Sequence, residues 1–226
     1  MHTYLQKIME IHNMTKLILT SFLTLVMTSA SMAQGLKNGD LLFNYSEPKG
    51  GFGGAIVEAT NRKDDLGISH VAIVIKNDTI IQVIEATGKY GVRICPLDTF
   101  LNKAEHSADG KPLVLVGRLK DTSVADECVQ RAKTYFGCPY DWIFSDTEEA
   151  IYCSELVHLS YLDKEGKHIF PQQPMSFHGE DGTILPYWTE YYKKRGLAVP
   201  EGAPGTNPAG ISKSDKIQLM KMDELR

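Results

Sequence analysis

A mainly apolar stretch runs from Leu17 to Met27 and carries no charge. It lacks an amphipathic period, so it does not predict one face of a helix packed on a core. It is also short for a bilayer span. Lys16 precedes it, and the small residues Ser31 and Ala33 close the segment before Gln34. A basic edge, a short apolar run and a small-x-small end predict an export signal over residues 1–33, cut before Gln34. A start at Met14 in place of Met1 would leave a leader of more usual length.

Beyond residue 33 the pattern changes to short Val- and Ile-rich segments broken by turn residues. Gly39-Asp40 ahead of Leu41-Leu42-Phe43 predicts a turn and a first strand. Ser69–Ile75, Ile80–Ala86, Gly91–Pro96 and Leu113–Leu119 predict four more, with Asn77-Asp78 as a hairpin turn. Ala55–Thr60 predicts a short helix. Val124, Cys128 and Ala132 recur at i, i+4 and i+8, which predicts a helix over Ser123–Phe136 capped by Asp121, Thr122 or Ser123 and stopped by Gly137. A second helix is predicted from Cys153 to about Asp163. The remainder is rich in proline, yet Phe170, Phe177, Tyr187, Trp188, Tyr191 and Tyr192 predict that it packs on the domain. Ile211–Met222 predicts a last strand. Strands in one cluster and helices apart from them predict an α+β domain over residues 34–226, with a mainly antiparallel sheet and helices packed on it.

Composition narrows the function. The chain has 226 residues, 24 Lys+Arg against 28 Asp+Glu, and a net charge of −4. There is no basic excess to neutralise phosphates, so no nucleic-acid partner is expected. After removal of the signal no stable membrane insertion is expected either. Gly50, Gly51, Gly53 and Gly54 lack both the strand–GxGxxG–helix setting and a GK[ST] ending, so they do not predict a phosphate cradle. No CxxC or HExxH occurs, and neither a metal nor a cofactor is expected. The four cysteines, Cys95, Cys128, Cys138 and Cys153, are even in number, which permits disulfides in an exported protein. Oligomeric state is left open.

Candidate chemistry centres on Cys153. It opens a predicted helix, where free backbone N–H groups and the helix dipole favour a thiolate, the nucleophilic form, and can also receive an oxyanion. His70 near the start of a strand would be a firmly held general base. Glu85 near the end of the neighbouring strand would accept the second N–H of the imidazole, if the hairpin brings the two together. Taken alone, Cys153 reads more readily as a small buried hydrophobe than as a nucleophile. Cys95 and Cys128 follow the apolar pattern and read as structural. His158, five positions past Cys153 on the same helix, points away from it. Asp141 reads as a cap or turn residue, and Glu105, Glu148, Glu149 and Glu155 as solvated.

The order Gly39-Asp40-Leu41-Leu42-Phe43, Ser69-His70-Val71-Ala72-Ile73-Val74, Val83-Ile84-Glu85-Ala86, Tyr140-Asp141-Trp142 and Tyr152-Cys153-Ser154-Glu155-Leu156 resembles the permuted papain-like cysteine hydrolases, the YiiX/YaeF-like branch of the NlpC/P60 superfamily. Histidine precedes cysteine here, as in that branch. The resemblance implies a circularly permuted papain-like fold and a triad of Cys153, His70 and Glu85. It also implies that Tyr140 and Ser154 serve the substrate or the oxyanion, and that the enzyme is an exported, periplasmic or secreted bacterial amidase or peptidase. The substrate would be a peptide or acyl-amide, of the cell-wall peptide or N-acyl amino acid type, cleaved through a thioester. Two other readings stay open: a lipid acyltransferase or lipase-like enzyme with the same triad, and a non-catalytic binding module on this fold.

Overall fold

A computed structural model describes residues 35–46, 50–60, 66–145, 147 and 149–225. The predicted export signal, residues 1–33, lies outside the described residues. The chain divides into a main unit, residues 37–222, and a terminal unit that includes residues 35 and 36 and the last four. In the terminal unit a Cβ on Gly35 would stand 2.5 Å from that of Leu225, a close approach that glycine permits.

The main unit is organised by one six-stranded antiparallel sheet. Its strands are β1 (Leu41–Ser46), β2 (Gly67–Asn77), β3 (Ile80–Thr87), β4 (Gly91–Pro96), β5 (Val114–Leu119) and β8 (Ile217–Lys221). They lie in the order β4-β3-β2-β1-β5-β8. The two-residue strands β6 (Gln173–Pro174) and β7 (Pro204–Gly205) form a separate pair. Helices α1 (Gly51–Thr60), α2 (Leu97–Leu101), α3 (Ala125–Thr134), α4 (Cys153–Ser160), α5 (Pro186–Lys193) and α6 (Pro208–Ser212) complete the fold. The α+β class and the antiparallel sheet are as the sequence predicts.

The main core lies between the sheet and helices α3, α4 and α6. Leu41, Phe43, Val71, Ile73, Ile84, Cys128, Val129, Leu156 and Val157 belong to it. Every residue of α4 except Leu159 is buried, so the helix is enclosed and shows no solvent face. A second cluster of Ala55, Phe177, Leu185, Trp188 and Tyr192 holds the proline-rich segment down, as predicted. Trp188 Nε1 donates to Ala55 O at 3.3 Å, and Tyr192 Oη to Ile143 O at 3.0 Å.

Four local predictions need correction. Helix α1 begins at Gly51 rather than Ala55. Each of its three glycines costs about 1 kcal/mol relative to alanine. Burial of Ala55, Val57 and part of Phe52 offsets this, since a fully buried large apolar side chain contributes about 1.5–3 kcal/mol. Phe52 packs against Trp142, Phe144, Trp188 and Tyr191, all distant in sequence. The hairpin turn is Asp78-Thr79, one residue later than predicted, with Asp78 in the left-handed region that Asp tolerates (φ 52°). Helix α4 stops at Ser160 rather than near Asp163. The stretch predicted as a last strand is divided between α6 and β8, because Asn207 and Pro208 start a helix: Asn207 Oδ1 accepts from Gly210 N.

Asp40 fixes the start of β1. Its carboxylate is 1% exposed and takes both prongs of Arg118 on β5, Nε at 2.8 Å and Nη2 at 2.6 Å. Lys37 N donates to it at 2.7 Å. Gly39 adopts φ 77°, and a Cβ there would meet Ala125 at 2.9 Å, so glycine is required on both counts. The Gly-Asp pair is therefore structural. Replacing Asp40 by Asn is expected to destabilise the protein by about 3 kcal/mol, because Arg118 loses its countercharge. The midpoint of urea unfolding measures this.

Candidate active site

Strand β2 delivers His70 through an irregularity. Asn44 of β1 pairs with His70, but the next residue, Tyr45, pairs with Ile68, so Ser69 is an extra residue in β2. Such a bulge re-aims the adjacent side chains. Strand β3 delivers Glu85. The β2–β3 ladder ends at Ile73↔Ile84. Continued by one residue, it places Glu85 beside Ala72, on the same face as His70 and diagonal to it. The hairpin proximity assumed from sequence is thus met on the diagonal.

His70 Nε2 and Glu85 Oε2 are 2.7 Å apart. The side chains are 21% and 3% exposed. Cys153 is the other group that acts on the imidazole. Burial alone would lower the His70 pKa, but the contacts with Cys153 and Glu85 outweigh it and raise it from 6.5 to about 10. Burial alone would raise that of Glu85. His70, and after it Arg93, outweigh burial and bring it down from 4.5 to about 2.

Cys153 is the first residue of α4. Tyr152 before it is extended, at φ −95° and ψ 170°, and its N–H donates to Glu155 Oε2 at 3.2 Å. This is the backward half of a capping box. Glu155 is therefore buried and structural, which corrects its reading as a solvated residue. The first helical bond runs from Leu156 N to Tyr152 O at 3.0 Å, which leaves the N–H groups of Cys153 and Ser154 outside the helical ladder. The approach to Cys153 is tied to the sheet edge. Val92 N donates to Cys138 O, Gly137 N to Val92 O, and Ile151 N to Pro139 O, at 2.8–2.9 Å.

Tyr140 and Cys153 line two adjoining hollows. The first encloses about 530 Å³ and is walled by Ile56, Phe144, Tyr152, Met175, Phe177 and Trp188. Ser154 and Thr206 also line it, and the Oγ of Ser154 and the Oγ1 of Thr206 are buried without a hydrogen-bond partner. The second encloses about 750 Å³ on the His70 side and includes Asn44, Thr87, Phe100, Lys103 and Trp142. Asn44 Oδ1 and Thr87 Oγ1 are likewise buried and unpartnered. Burial above all holds the Tyr140 phenol well above its usual pKa of 10, so it remains an O–H donor.

Every predicted site residue thus lies at one place; Asp141 and His158 have partners elsewhere, and Glu148 lies outside the described residues. Asp141 accepts from Ile143 N and Ser145 N at 2.8 and 2.6 Å, as a turn residue does. His158 is packed in the interior, with Nδ1 2.7 Å from Phe170 O and its ring stacked on His168. All four cysteines are free thiols. Sequence reasoning missed Arg93, which faces Glu85 across β3–β4. Its position one strand on from Glu85, in an alternating segment, was the available signal.

A histidine on an antiparallel sheet, followed later in the chain by a cysteine at the start of a buried helix, is the permuted order of a papain-like cysteine hydrolase. The chain belongs to the permuted papain-like amidase family YaeF/YiiX, family C92, whose model matches residues 35–221, and it is a cysteine amidase of that family. It is 29% identical over 155 residues to the uncharacterised protein YiiX of Escherichia coli K12, covering 68% of this chain and 71% of that protein. The solved structure of YiiX from Escherichia coli O157:H7, described as a metalloprotein, matches with a TM-score of 0.65 at 24% identity. That match covers 81% of this chain and 96% of the other, and at this identity it speaks for the fold. Among the described residues no group of three or more His, Cys, Asp or Glu could hold a metal ion. His70 and Glu85 turn their facing atoms to one another.

The raised His70 contributes stability that is fully present below pH 6.5 and is lost as pH rises toward about 10. The lowered Glu85 contributes stability that is fully present above pH 4.5 and is lost as pH falls toward about 2. The difference in melting temperature between the wild type and Glu85→Gln is therefore expected to be largest between pH 4.5 and 6.5 and to shrink on both sides. Thermal unfolding across pH measures it.

Proposed function

We propose that this chain cleaves an amide bond whose acyl side is apolar, of the N-acyl amino acid type, through a triad of Cys153, His70 and Glu85. The observation that carries the reading is the placement of His70 between Glu85 Oε2, at 2.7 Å, and Cys153, at the mouth of an apolar hollow. A cell-wall peptide, whose flanks are polar, suits those walls less well.

Cys153 Sγ attacks the carbonyl carbon, and His70 holds the proton. The tetrahedral oxyanion is received by the backbone N–H groups of Cys153 and Ser154 at the start of α4, with the Tyr140 hydroxyl as a further donor. Collapse of the intermediate breaks the C–N bond, and His70 gives its proton to the leaving amine. The acyl group remains as a thioester on Cys153. His70 then takes a proton from water, the hydroxide attacks the thioester carbonyl, and the acid leaves as Sγ takes the proton back. Glu85 keeps the imidazole oriented and supports its charge. The unpartnered Asn44 Oδ1 and Thr87 Oγ1 on the His70 side offer acceptors for an N–H of the leaving portion.

Cys153→Ala is expected to lower turnover of N-acyl amino acids by about 1,000-fold or more while leaving the melting temperature within a few degrees. Full activity in that variant overturns the assignment. The apolar hollow also supports a second reading, acyl transfer to an amine or alcohol acceptor. Mass spectrometry of products formed with an added amine separates the two, since hydrolysis yields the free acid whatever the acceptor.

The same reading includes export, carried by the apolar run Leu17–Met27 and the Ser31-x-Ala33 end. N-terminal sequencing of the protein recovered from its native compartment is expected to begin at Gln34. A protein that retains residues 1–33 there refutes it.

A further inference from the structure

We propose that Arg93 is a positioning residue for the reaction: it holds Glu85 by one oxygen, so that the other faces His70 and keeps the imidazole turned toward Cys153. This rests on the triad reading and adds a fourth member, one that touches neither substrate nor nucleophile.

The geometry divides the carboxylate in two. Glu85 and Arg93 are direct partners across β3–β4, so their side chains stand on the same face. Arg93 donates from both Nε, at 2.9 Å, and Nη2 to a single oxygen, Oε1. The Cys95 thiol lies 3.8 Å from that same atom. Oε2 is left to His70, at 2.7 Å. All donors from β4 therefore converge on one oxygen and the only donor from β2 on the other. A carboxylate held at one oxygen alone can swing about its last bond; a planar guanidinium fork on the far side removes that freedom. Arg93 is itself held, with its guanidinium 4.6 Å from the Tyr90 ring centre.

Charge supports the same division. Arg93 helps to hold Glu85 below the usual carboxylate range, and its hydrogen bonds reach this pair at Glu85 Oε1. Its influence on the imidazole passes through Glu85. The groups that face this pair are His70 from β2, Arg93 and Cys95 from β4, and Cys153 from α4; Lys103 lines the same hollow beyond α2.

The test needs no substrate. The full chain is labelled with iodoacetamide from pH 5 to 9, and the rate at Cys153 is followed by peptide mapping. The triad reading requires fast acid-side labelling of wild-type Cys153 that His70→Ala slows. Given that, Arg93→Met is expected to raise the midpoint of the labelling curve by about one pH unit, which lowers the rate at pH 6 about tenfold. Arg93→Lys is expected to recover part of the loss, because it keeps the charge without the fork. In a Glu85→Gln background Arg93→Met is expected to add nothing, since its effect runs through that carboxylate.

A purely structural Arg93 would lower the melting temperature and leave the midpoint of the folded protein where it was. A folded Arg93→Met with the wild-type curve overturns the proposal, and so does a shift of equal size in the Glu85→Gln background. If Arg93→Met does not fold, Arg93→Lys decides: an unchanged midpoint there overturns it. Wild-type Cys153 that labels as an ordinary thiol, with no effect of His70→Ala, removes the triad itself and is distinct from these outcomes.

Discussion

The carboxylate of Glu85 is almost wholly withdrawn from water, 3% exposed, and a buried carboxylate must be met by charge or hydrogen bonds or it will not stay ionised. That requirement disciplines three strands at once. Strand β2 has to bring His70 within reach, and β4 has to bring Arg93 opposite. A slip of one residue in either ladder would turn the partner to the other face of the sheet. The two-residue turn at Asp78-Thr79 and the pairing of Glu85 with Arg93 set the registers that avoid this. The bulge at Ser69 then re-aims the side chains beside it, His70 among them.

The helix that meets it is positioned by different forces. Helix α4 packs on the sheet with α3 and α6 against it, so apolar burial fixes where it sits. Its first turn is set by hydrogen bonds: Glu155 back to Tyr152, Thr206 N to the Tyr152 hydroxyl at 3.0 Å, and Ile151 to Pro139 at the sheet edge. A charge network on the sheet and a packed helix thus arrive independently at the same point. The nucleophile candidate then has an imidazole on one side and the apolar hollow on the other.

The aromatic segment from Phe170 to Tyr192 gives the hollow its character. Phe177 and Trp188 close the second cluster and also face the cavity next to Cys153. The same rings therefore stabilise the fold and present an apolar wall to whatever binds. Four buried polar atoms without partners, on Asn44, Thr87, Ser154 and Thr206, border the two hollows. In a packed interior such atoms are costly.

Much of this was legible in the sequence, because the signals were local. Alternating Val and Ile segments around turn residues marked the five consecutive strands, and the 3.6-residue recurrence of Val124, Cys128 and Ala132 marked α3. The permuted order of His70, Glu85 and Cys153 pointed to one site. What the sequence did not carry was everything set by partners distant in the chain. The glycine-rich α1 is helical because Phe52 finds an aromatic surface built from residues 142–191. Glu155 is buried because its helix is enclosed on all sides, although its capping partner Tyr152 is only three residues away. Arg93 meets Glu85 only through the β3–β4 register, which no local pattern states. Local patterning fixes the type of an element, since that depends on backbone and side-chain preferences within a few residues. Which side chains meet depends on register and packing, and these are decided only when the whole sheet closes on its helices.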